Sequence, residues 1–416
     1  MQRRTLRLLF ATQIISGVGF AIGSSVGALL AEQIAGVGLS GLAQSAAVVG
    51  AALFAVPATA IVRRHGRRPS LAAACGLAAA GALIIVGAAL LSSLPLLFAG
   101  FFLFGGATTA AFQARYAAVD LAPSALRGRH LSLIVWATTL GAVVGPNLAP
   151  VAGTTLASYG IPTLAAPYVF SAALLALAAL LLVVLLRPDP AVVARQAQSS
   201  GGAAGAHEAL DGSSGGMRAA LRVVAALPAA RLGVSAMAVG HIVMVAVMVM
   251  TPVHIRDAGH DAAHTLRIVG LVISLHIAGM FAFAPIMGWL TDRLGRRLVI
   301  VGGIALLLVA CALAGMAGHN HAVLGVAMMV LGLGWSATMV AGSTLLTESV
   351  PSGLRASSQG LSDLIMGLAG ASAGALSGVV VFAWGYSTLA LLAAITTAPL
   401  AVLTTQYAPI ARTRTR

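Results

Sequence analysis

Residues 291–298 read TDRLGRRL and residues 63–69 read RRHGRRP, so one arginine-rich sequence centred on a glycine occurs twice. The two glycines, Gly66 and Gly295, lie 229 residues apart. Two further landmarks recur at this spacing to within one residue: DLAPSALR at 120–127 returns as ESVPSGLR at 348–355, and Gly141 and Gly145 return as Gly370 and Gly374. Three landmarks at one spacing predict that the two halves of the chain are copies of one structural unit.

The composition indicates that this repeated unit lies in a membrane. Of the 416 residues, 59% are hydrophobic and 8% are charged, and the mean hydropathy is +0.99. Soluble domains carry about 25% charged residues, and a folded chain of this size exposes too much surface for so few polar side chains to cover. Apolar runs of about 20 residues, the length that a helix needs to cross the hydrocarbon core, recur along the chain. We therefore predict an all-α membrane protein.

The apolar runs predict twelve transmembrane helices in two six-helix pseudo-repeats. Residues 196–216 are rich in Gly, Ser and Ala, which is typical of a flexible linker. The predicted organisation is an N-terminal bundle at 1–190, a cytoplasmic linker at 191–226 and a C-terminal bundle at 227–416. Because matching landmarks keep the same orientation, the halves are expected to be parallel copies related by an axis along the membrane normal. The predicted spans are 8–31, 41–62, 70–92, 95–119, 131–153, 164–186, 231–252, 265–290, 298–318, 322–347, 357–381 and 386–406.

The distribution of the basic residues predicts the topology. All 24 are arginines, and 21 of them fall on alternate loops. Under the positive-inside rule these loops and both termini are cytoplasmic. Arg115, Arg256 and Arg267 are the exceptions. The formal charge of +14 thus reflects orientation in a bacterial inner membrane. Membrane lipid is an expected partner of the protein, and nucleic acid is not.

Residues 288–297, GWLTDRLGRR, resemble the hallmark loop of the major facilitator superfamily, G-x-x-x-D-R-x-G-R-R. In the first copy Thr59 and Arg63 stand at the glycine and aspartate positions. The resemblance covers essentially the whole chain. It implies the major facilitator fold and a monomeric secondary transporter that works by alternating access and is not an enzyme. The sequence contains no nucleotide-binding loop, so ATP is not expected to drive transport, and no cofactor is expected.

The same resemblance implies a cytoplasmic latch, in which an acid that ends the fourth helix of each half pairs with the loop residues. The arginines of this loop are equally interpretable as orientation signals, and the two roles are compatible. The first half lacks the aspartate, so only part of its latch is expected. The predicted latch residues are Asp292, Arg293, Arg296 and Glu348 in the second half, and Arg67 and Asp120 in the first.

The fifth helix carries Gly141, Gly145 and Pro146, which resemble the G-x-x-x-G-P motif associated with antiporters. Small residues four apart let helices pack closely, and proline bends a helix whose freed carbonyl is satisfied nearby. Close packing alone is therefore the alternative interpretation. Asn147 follows directly, is expected to face the cavity and is a candidate for a role in gating or coupling. The arginine–glutamine motif usual in helix four of drug–proton antiporters is missing, which argues against efflux.

Helices seven and eight carry soft side chains at helical spacing. Met244 and Met248 share one face of helix seven, and His276 and Met280 share one face of helix eight. At 1.5 Å per residue Met244 and His276 each lie about 15 Å deep, near mid-membrane, and His241 and Met280 lie slightly deeper. Thioether sulfur and imidazole suit Cu(I). Methionine also fills irregular cores, but an ionisable histidine at this depth is usually functional.

The M-x-x-x-M and H-x-x-x-M pair resembles the CcoA-like copper importers, a branch of the same superfamily, which implies Cu(I) uptake. Related branches carry riboflavin-like compounds, so the alternative is proton-coupled efflux or uptake of a small organic or drug-like compound. Arg115 and Asp363 are among the few other charges within the predicted spans. They are candidates for a gate pair or a proton-linked switch, and a purely structural pair is the alternative. The substrate is thus expected to be a small molecule or a metal ion.

Overall fold

A computed structural model describes residues 2–118, 120–121, 127–200, 214–259, 261–351 and 354–406. Within these ranges the chain is helical apart from short connections, and they contain no strand. The helices of the first half are α1 (Gln2–Ala35), α2 (Val37–His65), α3 (Arg67–Leu90), α4 (Leu94–Phe104), α5 (Gly106–Ala117), α6 (Arg127–Thr155), α7 (Ala166–Leu185) and α8 (Pro190–Ser200). The second half has α9 (Ser214–Ala226), α10 (Pro228–Arg256), α11 (Ala262–Phe281), α12 (Ala284–Leu294), α13 (Arg296–Met316), α14 (His321–Ser349), α15 (Arg355–Ile395) and α16 (Ala398–Gln406).

These helices supply the twelve predicted crossings. Ten helical segments of the described chain are long and apolar enough to cross a membrane. The last of them, Ser357–Gln406, has 50 residues and makes two crossings, because α15 breaks at Gly385, where φ is 81°. Helix α6, with 29 residues, supplies the twelfth crossing. The prediction of an all-α fold with twelve transmembrane helices is therefore confirmed.

The fourth crossing differs from the prediction because it is two helices, α4 and α5, that meet at Gly105. A Cβ atom at Gly105 would collide with the carbonyl oxygen of Ala47 on α2, and one at Gly106 would lie 2.7 Å from the carbonyl oxygen of Ala74 on α3. Only glycine allows three helices to approach this closely. The eighth crossing is likewise divided, into α11 and α12, just before Pro285, which has no N–H to continue the helix.

Each half packs around its own first helix. Helix α1 lies against α6 and α7, and α10 lies against α14 and α15. Helix α9 buries Ala220 and Val224 in a cluster with Leu346 and Leu361, so this part of the predicted linker is a helix packed on the second half. Residues 201–213 of that linker, and the terminal arginines at 412, 414 and 416, lie outside the described residues. The domain boundaries stay a prediction.

The two halves meet along two seams that lie towards one face of the membrane domain. We call the face with the N-terminal end of α1 the terminal face, and the opposite one the far face. In the α2–α15 seam, Gly41 packs on Gly374 and the hydroxyl of Ser45 donates to the carbonyl of Ala371 at 2.7 Å. Gly41 and Ser45 lie in the far-face half of α2, and Ala371 and Gly374 lie in the far-face half of the part of α15 that precedes the break at Gly385.

The α6–α11 seam and the ends of α1 and α10 close the far face in the same way. Asn147 Nδ2 donates to Ser274 Oγ at 2.6 Å, and Arg256 Nη1 lies 3.3 Å from Glu32 Oε2. Towards the terminal face α2 loses this cover, since seven of residues 52–60 are exposed, against two of residues 40–50. The structure is therefore closed at the far face and open at the terminal face.

Candidate functional site

His276 is the most buried polar group of the predicted metal site. It lies on α11 with no exposed surface, and its Nδ1 is 2.9 Å from the carbonyl oxygen of Met328 on α14. A carbonyl only accepts, so Nδ1 carries the proton and Nε2 presents a lone pair. Within the described chain Nε2 is buried and has no hydrogen-bond partner. A bare, buried imidazole nitrogen is chemically competent to ligate a soft metal ion.

The three predicted methionine ligands belong to, or pack against, one large apolar cluster that also contains residues of the first half. Met244 is buried, and Met248 and Met280 are half-buried against the cluster that contains it. The described residues contain no group of three or more His, Cys, Asp or Glu side chains that could hold a metal ion. Any metal site here would thus depend on thioether sulfur together with His276, which restricts it to a soft ion such as Cu(I).

His241, the fifth predicted ligand, belongs to a different environment. Its Nδ1 accepts a hydrogen bond from Trp335 Nε1 on α14 at 3.2 Å, so its Nε2 carries the proton. The ring also packs against Gly370 on α15, where a Cβ atom would lie 2.7 Å from Nε2. The indole of Trp335 meets the ring of Phe281 at 5.8 Å between centroids, edge to face.

His241, Phe281 and Trp335 form what we call the aromatic cluster. The three rings come from α10, α11 and α14, and all three are half-buried, so part of each remains accessible. His241 and Trp335 lie near the middle of their helices, at the depth where carriers of this architecture hold substrate. Sequence analysis missed Trp335 and Phe281. A lone tryptophan in the middle of a predicted span was the available signal.

Three of the four latch residues of the second half lie together. Arg296 Nη2 is 2.6 Å from Glu348 Oε1 and 3.5 Å from Asp292 Oδ1. The Asp292 side chain is 78% exposed, so its share of the attraction is screened by water. Arg293 points elsewhere, with its guanidinium over the ring of Trp289 at 5.1 Å.

The first-half latch residues also pair. Arg67 contacts Asp120 through two hydrogen bonds, of 2.8 and 3.1 Å, and its third nitrogen donates to Gln113 Oε1 at 2.7 Å. Such two-point contacts between arginine and carboxylate are the stronger kind of ion pair. Gln113 completes the group, and the sequence pattern did not assign it there.

Arg115 and Asp363 lie in opposite halves, on α5 and α15. Each is within electrostatic range of the other, but among the described residues neither forms an ion pair. Arg115 Nε is buried with no hydrogen-bond partner in the described chain, and its guanidinium lies 5.0 Å from the ring centroid of Phe112. The candidate gate pair is thus apart in this conformation.

The fifth-helix motif packs α6 onto α1. A Cβ atom at Gly141 would lie 2.7 Å from the backbone nitrogen of Val18, and one at Gly145 would lie 2.5 Å from the Cβ of Ala21. Pro146 is buried beside this contact. Asn147 bonds to Ser274 across the seam, so its amide joins the two halves.

Comparison with known proteins agrees with this architecture. The sequence model of the Major Facilitator Superfamily matches residues 8–266 and 260–415. The chain is 37% identical to the uncharacterized MFS-type transporter YdeG of Bacillus subtilis, over 95% of this chain and 90% of that one. It is 25% identical to the riboflavin transporter RfnT of Brucella anthropi, over 93% and 91% of the two chains. The solved nucleoside transporter NupG shares the fold, with a TM-score of 0.72, 16% identity and coverage of 96% and 98%. The chain therefore belongs to the major facilitator superfamily, and it is a multi-pass membrane transporter rather than an enzyme.

Proposed function

We propose that the protein carries a small organic compound with a planar aromatic ring across the cell membrane by alternating access. The observation that supports this cargo is the aromatic cluster. The hydrogen bond between Trp335 and His241 fixes the orientation of the indole, and Phe281 supports its edge. A fixed, half-buried indole at mid-membrane offers a surface on which a planar ring stacks.

A relative supports the same class of cargo. The protein named a riboflavin transporter aligns with nearly the whole of this chain. Riboflavin contains a planar, fused aromatic ring system, so a stacking surface suits its chemistry. We use riboflavin as a probe of this chemistry.

We infer the membrane topology from the positions of the arginines along the chain. Their distribution supports a cytoplasmic terminal face in a bacterial inner membrane, and the bacterial relatives support the same location. With that orientation the conformation is inward-facing. We further propose a monomer built of bundles 1–190 and 227–416 joined by linker 191–226, with proton coupling through Asp363.

Removing the stacking surface tests the proposed cargo. Binding of riboflavin and a panel of planar aromatic compounds of similar size is measured by fluorescence on the purified full-length protein. Trp335→Leu is expected to weaken binding about 2- to 10-fold, the range of one aromatic pair. Trp384→Leu, a mostly exposed tryptophan of the same half, is the matched control and is expected to bind like wild type. Equal affinity of the two variants, or no binding by wild type, would overturn the proposal.

Cu(I) is the second candidate cargo, and the unpartnered Nε2 of His276 favours it. With Met280 one helical turn along α11 and Met244 and Met248 on α10, the ligand types suit this ion. His276 has no exposed surface in this conformation, so an ion would reach it only in another state of the transport cycle. The aromatic cluster is accessible already, and for this reason we rank organic cargo first.

Copper accumulation in cells separates the two candidates. If Cu(I) is the cargo, Met244→Leu should abolish accumulation, because it removes the sulfur ligand. The substitution conserves apolar volume, so it should lower the stability of the fold by less than about 1.5 kcal/mol. His276→Ala should do the same. Met316→Leu, at an exposed methionine, is the control and should accumulate copper like wild type. A wild-type protein that accumulates no copper, or a Met244→Leu variant equal to wild type, would reject copper and leave the organic cargo standing.

A further inference from the structure

A cavity of about 350 Å³ opens at the terminal face, between the beginning of α1 and the end of α7. Arg4 and Arg187 stand at its rim, and Thr5 lies beside them. Leu8 and Leu185 line its apolar wall. None of these residues belongs to the latch, the aromatic cluster or the predicted metal site, so the cavity is separate from the candidate sites described above.

The positive charge of this cavity is not balanced by the protein. Among the described residues neither Arg4 nor Arg187 forms an ion pair. The nearest acid along the chain, Asp189, is already used: its Oδ1 accepts from the backbone nitrogen of Ala191 at 2.9 Å, and its Oδ2 from that of Arg68 at 2.7 Å. The start of α1 adds the partial positive charge of its free N–H groups. The cavity is thus suited to an anion.

The surroundings indicate which anion fits. Val183 and Val184, at the end of α7 beside the cavity, are 43% and 52% exposed, so apolar surface adjoins the arginines at the depth of the membrane boundary. A free phosphate ion would contact the arginines but not the apolar surface. A phospholipid uses both, since its headgroup phosphate sits at the membrane surface and its acyl chains run along the helix.

We propose that this cavity binds the phosphate headgroup of an anionic phospholipid. Arg4 and Arg187 hold the phosphate, the Thr5 side chain adjoins it, and an acyl chain lies along the outer surface of α7. Basic pockets between transmembrane helices are a recurrent kind of lipid headgroup site. By tying α1 to α7, the lipid would join the first and last helices of the N-terminal half.

Native mass spectrometry of the full-length protein with added lipid tests this inference. Phosphatidylglycerol is titrated against wild type and against Arg4→Gln combined with Arg187→Gln. Each arginine near the surface contributes about fivefold to binding of an anionic lipid, so the double variant is expected to lose about 25-fold. The matched control combines Arg3→Gln with Arg64→Gln, two exposed arginines that do not line the cavity and change the net charge equally. The control is expected to keep wild-type affinity, and both double variants to keep the wild-type melting temperature.

Three results would overturn the proposal. Equal loss in the control variant would mean that surface charge in general attracts the lipid. Phosphatidylcholine binding as tightly as phosphatidylglycerol would mean that the cavity does not select an anion. Glycerol phosphate, which has the headgroup without the acyl chains, binding as tightly as the lipid would assign the cavity to a free phosphate ion.

Discussion

Removing one hydroxyl at the α6–α11 seam should open the far face. Ser274 Oγ receives a hydrogen bond from Asn147 Nδ2 at 2.6 Å and donates one to the carbonyl oxygen of Val143 at 2.9 Å, so one side chain makes two bonds between the halves. We expect both bonds to exist only while the far face is closed. Each is worth about 0.6 to 1 kcal/mol in a membrane protein. Ser274→Ala should therefore shift the equilibrium towards the outward-facing state by about 8- to 30-fold, so that a resting ratio of about 99:1 falls to between about 12:1 and 3:1.

The shift can be measured as a distance across the far face. Spin labels at Leu91→Cys and Met316→Cys, two exposed positions on opposite halves, should show a larger population at long distance in Ser274→Ala than in wild type. The buried native cysteines, Cys75 and Cys311, are replaced by alanine in all samples. Ser343→Ala is the control, because the Ser343 hydroxyl bonds only within its own helix, and the distance distribution should not change. An unchanged distribution in Ser274→Ala would refute the claim that these bonds hold the far face closed.

Three other predictions concern the helix packing, the latch and the proton coupling. Gly141→Ala should destabilise the protein by about 1 to 3 kcal/mol, because the added methyl group overpacks the α1–α6 contact, and the melting temperature should fall. Gly76→Ala is the control: no atom lies within 4 Å of the added Cβ, so the melting temperature should stay the same or rise. Glu348→Gln should reduce transport more than Asp292→Asn, because Glu348 lies closer to Arg296. The ion pair of Arg296 with the largely exposed Asp292 is worth at most about 1 kcal/mol. The reverse order in a transport assay at equal expression would contradict this. Asp363→Asn should abolish uptake driven by a pH gradient while cargo exchange between the two sides continues, and undiminished accumulation would exclude it as the coupling residue.

The fold could be predicted from the sequence because its main determinants are periodic or repeated. Hydropathy located the twelve crossings, and the gap left between the last two spans contains Gly385, where the helix breaks. The break at Gly105 could not be predicted in the same way. It depends on the carbonyl of Ala47, more than 50 residues away, and local hydropathy is the same whether or not that carbonyl is near.

The residues of the candidate site also differ in how far they could be predicted from the sequence. Asp292, Arg296 and Glu348 could be grouped from a motif, because the repeat fixes where the loops and helix ends meet. The aromatic cluster could not be, since Trp335 bonds to a histidine 94 residues away and no spacing rule connects two helices that are not neighbours in sequence. Helical spacing could show which residues share a face, but not which other helix that face contacts.

Contacts within one half and contacts between the halves should behave differently during the transport cycle. The latch pairs lie within one half, so they can persist when the halves move relative to each other. The contact from Asn147 to Ser274 joins the halves, and we expect it to be lost when the far face opens. Arg115 and Asp363 also belong to opposite halves but are apart while the terminal face is open. Closing that face would bring α5 and α15 together, so an ion pair gained there would offset hydrogen bonds lost at the far face. Each conformation then has its own contacts between the halves, which keeps the two states close enough in free energy for a small cargo to shift the balance.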